Sequence, residues 1–104
     1  MILATTNEVA GREIEEVLGL VRGSTIRARH VGRDILATMR GLVGGEVSEY
    51  TKLMGESREQ ALDRLTAEAR RLGADAVVGL RFTTAEVMNH AAEILVYGTA
   101  VKLR

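Results

Sequence analysis

The spacing of apolar positions changes twice along the chain, and each change predicts a new kind of element. Residues 2–5 read as a short strand and 8–11 as a turn. From 12 to 29 the β-branched content is high and helix caps are absent, so the chain reads as extended. Ile14, Leu18 and Leu20 fall on one face there, interrupted by Glu16, and Val17 and Val21 on the other. Gly19 and Gly23 mark a bulge or bend in one long strand; a hairpin turning at Arg22-Gly23-Ser24 is the alternative. The period then turns helical. Val31, Ile35, Met39 and Leu42 make one stripe over a helix at 32–42, which Gly41, Gly44 and Gly45 end. A second helix starts near Glu46, with Val47, Tyr50 and Met54 on one face and a kink expected at Gly55. Ser57 with Gln60 three residues on is a capping-box pattern, so helix restarts or continues there. Ala61, Leu62, Leu65, Ala69 and Leu72 form its stripe, and Gly73 stands where a left-handed C-cap belongs.

The last change restores alternation. Residues 76–84 read as a strand with Val78, Leu80 and Phe82 sharing a face, then Met88-Asn89-His90 as a turn, then 94–103 as the final strand. That final strand is apolar on both sides. Ile94, Val96 and Ala100 line one, and Leu95, Tyr97, Val101 and Leu103 the other. Helices of one short chain cover one face of a small sheet, so a strand apolar on both faces needs a second cover. The simplest cover is another copy, and the pattern predicts a homo-oligomer with this hairpin at the interface. The expected fold class is α+β: one domain over 1–104, a small antiparallel sheet with helices packed on one face.

Composition narrows the function. Aromatics make up 3% (Tyr50, Phe82 and Tyr97), so the core is aliphatic and stacking platforms for single-stranded nucleic acid are absent. Fourteen basic residues balance fourteen acidic ones, which leaves nothing to steer the chain toward a polyanion. Nucleic acid is therefore not an expected partner. No apolar run approaches a membrane span and the first residues carry no basic region, so a membrane is not expected either and the expected location is cytoplasmic. There is no cysteine, which excludes disulfides and thiolate chemistry. Imidazole and carboxylate are then donors suited to a divalent cation, and Met88 beside His90 offers a thioether for a soft metal or, more plainly, a hydrophobic contact.

Four sets of residues offer binding chemistry. His30 and Asp34 are four apart at a helix start and can face one side; the plainer reading has Asp34 complementing the helix N-terminus and His30 ending a strand. His90 sits in the expected turn, where an oligomer would bring several copies together; alone it reads as a solvated histidine. Glu46 and Tyr50 are one helical turn apart, a carboxylate and a phenol able to recognise a ligand, or simply to tether the helix. Glu13 and Glu15, with Glu8 and Glu16 nearby, suit a hard cation but also a charged strand edge. No serine lies in a nucleophile elbow, and no spacing favours catalysis.

Taken together and in order, Gly19-Leu20-Val21-Arg22-Gly23, Gly44-Gly45-Glu46 with Tyr50, Arg58-x-x-Ala61, Leu72-Gly73-Ala74-Asp75-Ala76-Val77-Val78-Gly79 and Tyr97-Gly98-Thr99-Ala100-Val101 resemble the YbjQ-like family of small bacterial and archaeal proteins. The likeness spans nearly the whole chain. It implies a dodecin-like subunit that assembles as a ring, with a pentamer as the expected size. It also implies a heavy-metal-binding label, and it brings no ligand residues with it. Pattern and resemblance together lead to the expectation of an oligomeric binding protein that holds a metal ion or small ligand at subunit interfaces. The alternatives are a structural or adaptor ring and a small oligomeric enzyme.

Overall fold

The computed structural model describes residues 1–27, 47–88 and 91–104. Within them the chain runs β1 (Ile2–Leu3), β2 (Ile14–Arg27), α1 (Val47–Arg71), β3 (Ala76–Met88) and β4 (Ala91–Leu103). The strands form one sheet in the order β1-β3-β4-β2. β4 is antiparallel to both of its long neighbours, while β1 joins the edge parallel to β3 through Ile2↔Ala76 and Leu3↔Val77. The sheet is therefore mixed at that edge, and α1 lies on one face: an α+β fold. The helix expected at 32–42 and the turn residues Asn89 and His90 lie outside the described residues; Met88 pairs with Ala91 across the latter.

The stripe of α1 does what its spacing predicts. Ala61, Leu65 and Ala69 are fully buried and pack with Val21, Val77, Leu80, Ile94, Val96 and Ala100. Of the two readings at Ser57, restart or continuation, continuation holds: the helix runs from Val47 to Arg71 through Gly55. Ser57 is accordingly no cap. It is fully buried mid-helix, and its carbonyl accepts the Thr25 hydroxyl at 3.3 Å. The C-terminus is a Schellman motif. Ala74 N–H donates to the Ala69 carbonyl at 3.1 Å and Gly73 N–H to Arg70 at 3.0 Å, and the left-handed turn falls on Gly73 at φ +78°.

The region left open between bulge and hairpin is one strand, β2, interrupted twice. Its pairing with β4 shifts between Ile14 and Glu16 and again between Val17 and Gly19. Each shift adds one residue to β2 and reverses the alternation beyond it. Leu18 and Leu20 therefore do not share a face: Leu18 packs with Val21 under the helix, and Leu20 joins Val17 on the opposite side. β3 carries the same device between Val78 and Arg81, which parts Val78 from Leu80. Gly23 pairs regularly with Val96, so it is neither bulge nor turn. A methyl group there would collide with the Ala61 carbonyl oxygen, and the Leu65 nitrogen would lie 2.5 Å from it. Strand and helix backbones meet at that point, and the Arg64 guanidinium donates to the Ser24 carbonyl beside it.

The start of the chain runs along β3. Ala4 N–H donates to Val77, Leu80 N–H to Ala4 and Gly79 N–H to Thr6, at 2.8–3.0 Å. Val9 and Ile14 then cover Ala76, Val78, Val101 and Leu103 on the face away from the helix. They cover one end of that face and no more.

Candidate functional site

The uncovered part of the second sheet face is the main unfinished surface among the described residues. Register sets its rows. Leu20, Thr99 and Val78 form the first, its Val78 end already under the Val9 and Ile14 cover, then Arg22, Tyr97 and Arg81, then Ser24, Leu95 and Thr83, then Ile26, Glu93 and Ala85. Side chains directly opposite on neighbouring strands share a face, so each row is a line of neighbours. Val17, Leu20 and Ile26 are 64, 62 and 61% exposed, although β-branched and leucine side chains normally sit inside. Leu95 is half-buried and Tyr97 exposed. The two-sided apolarity read from β4 is thus real, and β2 widens it.

Within this field one row carries two like charges, while Glu93 stands two rows away. Arg22 and Arg81 flank Tyr97, and all three are exposed. Arg81 is held in place: its Nη1 donates to the Thr5 and Leu80 carbonyls, each at 2.8 Å. Among the described residues Arg22 has no hydrogen-bond or ion-pair partner. Sequence spacing could not find this row, because 22, 81 and 97 come together only through the register of three strands.

Of the residues singled out by sequence, His30, Asp34, Glu46 and His90 lie outside the described residues. Tyr50 stands in the first turn of α1. Glu13 does not join Glu8, Glu15 or Glu16 in a cluster; it pairs with Arg104 at 3.2 Å in an exposed bridge at the C-terminal edge. Among the described residues no three histidine, aspartate or glutamate side chains come together to hold a metal ion. No described helix is long and apolar enough to cross a membrane.

The chain matches one family model over residues 1–104, that of the YbjQ family, described as "Putative heavy-metal-binding". Several curated relatives are similar from end to end. A UPF0145 protein of Halorubrum lacusprofundi is 56% identical over 104 residues, 100% of each chain. One of Methanosarcina acetivorans is 55% identical over 103 residues, 99% of this chain and 97% of its own. The UPF0145 protein TTHA1944 of Thermus thermophilus is 55% identical over 103 residues, 99% of this chain and 90% of its own. Among solved structures, a DUF74-family protein with unknown function from Pediococcus pentosaceus superposes with a TM-score of 0.64. Its identity is 18%, over 100% of this chain and 98% of its own, a likeness of fold.

Proposed function

We propose that this chain, which belongs to the YbjQ family, is a self-assembling binding protein whose uncovered sheet face meets further copies. The observation that carries this reading is the exposure of Val17, Leu20 and Ile26 along β2, each more than three-fifths exposed on the face that Leu95 and Tyr97 share. A second copy is the occupant that fits. Every copy carries the same exposed side chains, and among the described residues the chain's own cover, Val9 and Ile14, stops short of these rows. Following the resemblance, the assembly is a ring of five. The family's heavy-metal-binding description supports a metal ion held where copies meet. With no cysteine in the chain, the groups for it are His30, Asp34 and His90, which suit a divalent cation, and Glu46 with Tyr50 would recognise a small ligand.

Sedimentation and native mass spectrometry test both parts. A mass five times 11.3 kDa at tens of micromolar is the expected result; a mass of 11.3 kDa there would remove the assembly. Divalent ions should bind the assembled protein in a ratio that His30→Ala or His90→Ala lowers. An unchanged ratio in both variants removes these ligands. A second reading, an adaptor ring, is favoured by one observation: Met1, Ile2 and Leu3 are 38–43% exposed along the β1 edge of the sheet. Apolar surface left there after assembly would serve another protein.

A further inference from the structure

The charged row gives the open face a chemical preference that self-assembly alone does not explain. In each arginine's strand, one inserted residue decides which face the arginine takes. The shift between Val17 and Gly19 sends Arg22 to the open side, and the shift between Val78 and Arg81 sends Arg81 there. With strands about 4.8 Å apart, the two Cα atoms stand about 10 Å from each other across Tyr97. Two like charges on one apolar face repel, and no carboxylate stands in their row or in either adjoining row. Glu93 is two rows away. Arg81 is ordered by two neutral carbonyls, which fix its position and leave its charge uncompensated. Guanidinium groups present planar forks matched to the oxygens of carboxylate and phosphate.

We propose that Arg22, Tyr97 and Arg81 form a receptor for an anionic oxygen group, a carboxylate or a phosphate, on the open sheet face. Arg22 and Arg81 would close on one anion over the phenol ring, Arg81 by turning its guanidinium from the Thr5 edge toward β4, and Leu20, Val78 and Leu95 in the adjoining rows lower the local dielectric beside the hydroxyls of Ser24, Thr83 and Thr99. The anion is either a free small ion or the carboxylate of a neighbouring copy. The proposal deepens the binding reading above by naming the charge class, and it rests on assembly only for the second of these sources.

The test uses the full chain at constant ionic strength, titrated with inorganic phosphate and separately with malonate. Arginine Nε–H and Tyr97 ring resonances report binding, and the assembly mass is measured in parallel. A free anion gives saturable shifts at Arg22, Arg81 and Tyr97. Arg22→Gln weakens the binding tenfold or more, by an estimate of roughly one charge-assisted hydrogen bond lost, while Arg71→Gln leaves it unchanged. Arg22 is the residue to change because it holds nothing else in the described chain. If neither anion shifts these signals but Arg22→Gln and Glu93→Gln each lower the assembly mass, the anion is a neighbour's carboxylate. The proposal is overturned if no shift saturates and both variants keep the wild-type mass, or if Arg22→Gln and Arg71→Gln weaken binding equally. A monomeric protein with saturable shifts would instead sink the assembly and leave the receptor standing.

Discussion

Ile26→Asp tests whether the open face is an interface. Ile26 lies in the last described row, beside Glu93 and Ala85, and 61% of its surface is accessible. Fully burying an isoleucine side chain contributes about 1.5–3 kcal/mol, so covering the exposed part is worth about 1–2 kcal/mol. Val17 and Leu20 offer similar amounts, which brings the three to about 3–6 kcal/mol per covered face. Aspartate at 26 removes the first contribution and adds a carboxylate that a neighbour must desolvate next to half-buried Glu93. That second cost is several kcal/mol. A combined loss of at least about 3 kcal/mol raises the dissociation constant roughly a hundredfold or more. Within one subunit the side chain touches little, so the folded subunit should lose no more than about 1 kcal/mol. Sedimentation velocity across a concentration series reads the first quantity and denaturation monitored by circular dichroism the second. Ile26→Ala should fall between, with about a tenfold loss. An Ile26→Asp protein that keeps the wild-type mass at micromolar concentration would refute the argument, because a covered face does not tolerate a second carboxylate beside Glu93.

Three further outcomes follow from the helix side and the chain ends. Gly23→Ala forces a methyl group between strand and helix backbones, and should cost about 1–3 kcal/mol with a matching drop in melting temperature. Leu65→Ala empties a fully buried site in the core and should cost about 2–5 kcal/mol in urea unfolding, with the slope unchanged. Glu13→Gln removes an ion pair whose partners are 78 and 72% exposed, and should change stability by less than about 1 kcal/mol and by nothing measurable in high salt. A large effect there would show that the C-terminal edge carries more than its geometry suggests.

The parts of the fold that depend on a uniform period were legible in the sequence. The stripe from Ala61 to Ala69 is the buried helix face, and the two faces of β4 are assigned residue by residue. Gly73 was legible because a helix stripe stops just before it. What failed was whatever a local pattern states ambiguously. Ser57 and Gln60 have the spacing of a capping box, but the same two residues fit mid-helix when strand β2 presses on the serine. The facing of Leu18, Leu20 and Val78 failed because a bulge carries no consistent residue signal beyond a nearby glycine. A bulge is legible at Gly19, but the facing does not carry its effect, and one uncounted insertion inverts every assignment after it. The metal and ligand groups His30, Asp34, Glu46 and His90 stand outside the described residues, so only Tyr50 among them is placed, and only on its helix.

The bulges connect the closed face to the open one. Val17 is opposite Val101 on the open side, so strict alternation would have carried Val21 to that side and Arg22 under the helix. The extra residue before Gly19 reverses both. It buries Val21 fully against Leu65, brings Gly23 under the Ala61 carbonyl, and sends Leu20 and Arg22 outward in the same step. The shift in β3 does likewise for Leu80 and Arg81. A core formed this way is inseparable from the surface it leaves behind. Mutations that restore regular pairing in β2 would bury an arginine under α1 and expose a valine, so the apolar rows and the charged row persist for as long as the helix packs as it does. That coupling is why the open face reads as a property of the fold and not as an accident of surface composition.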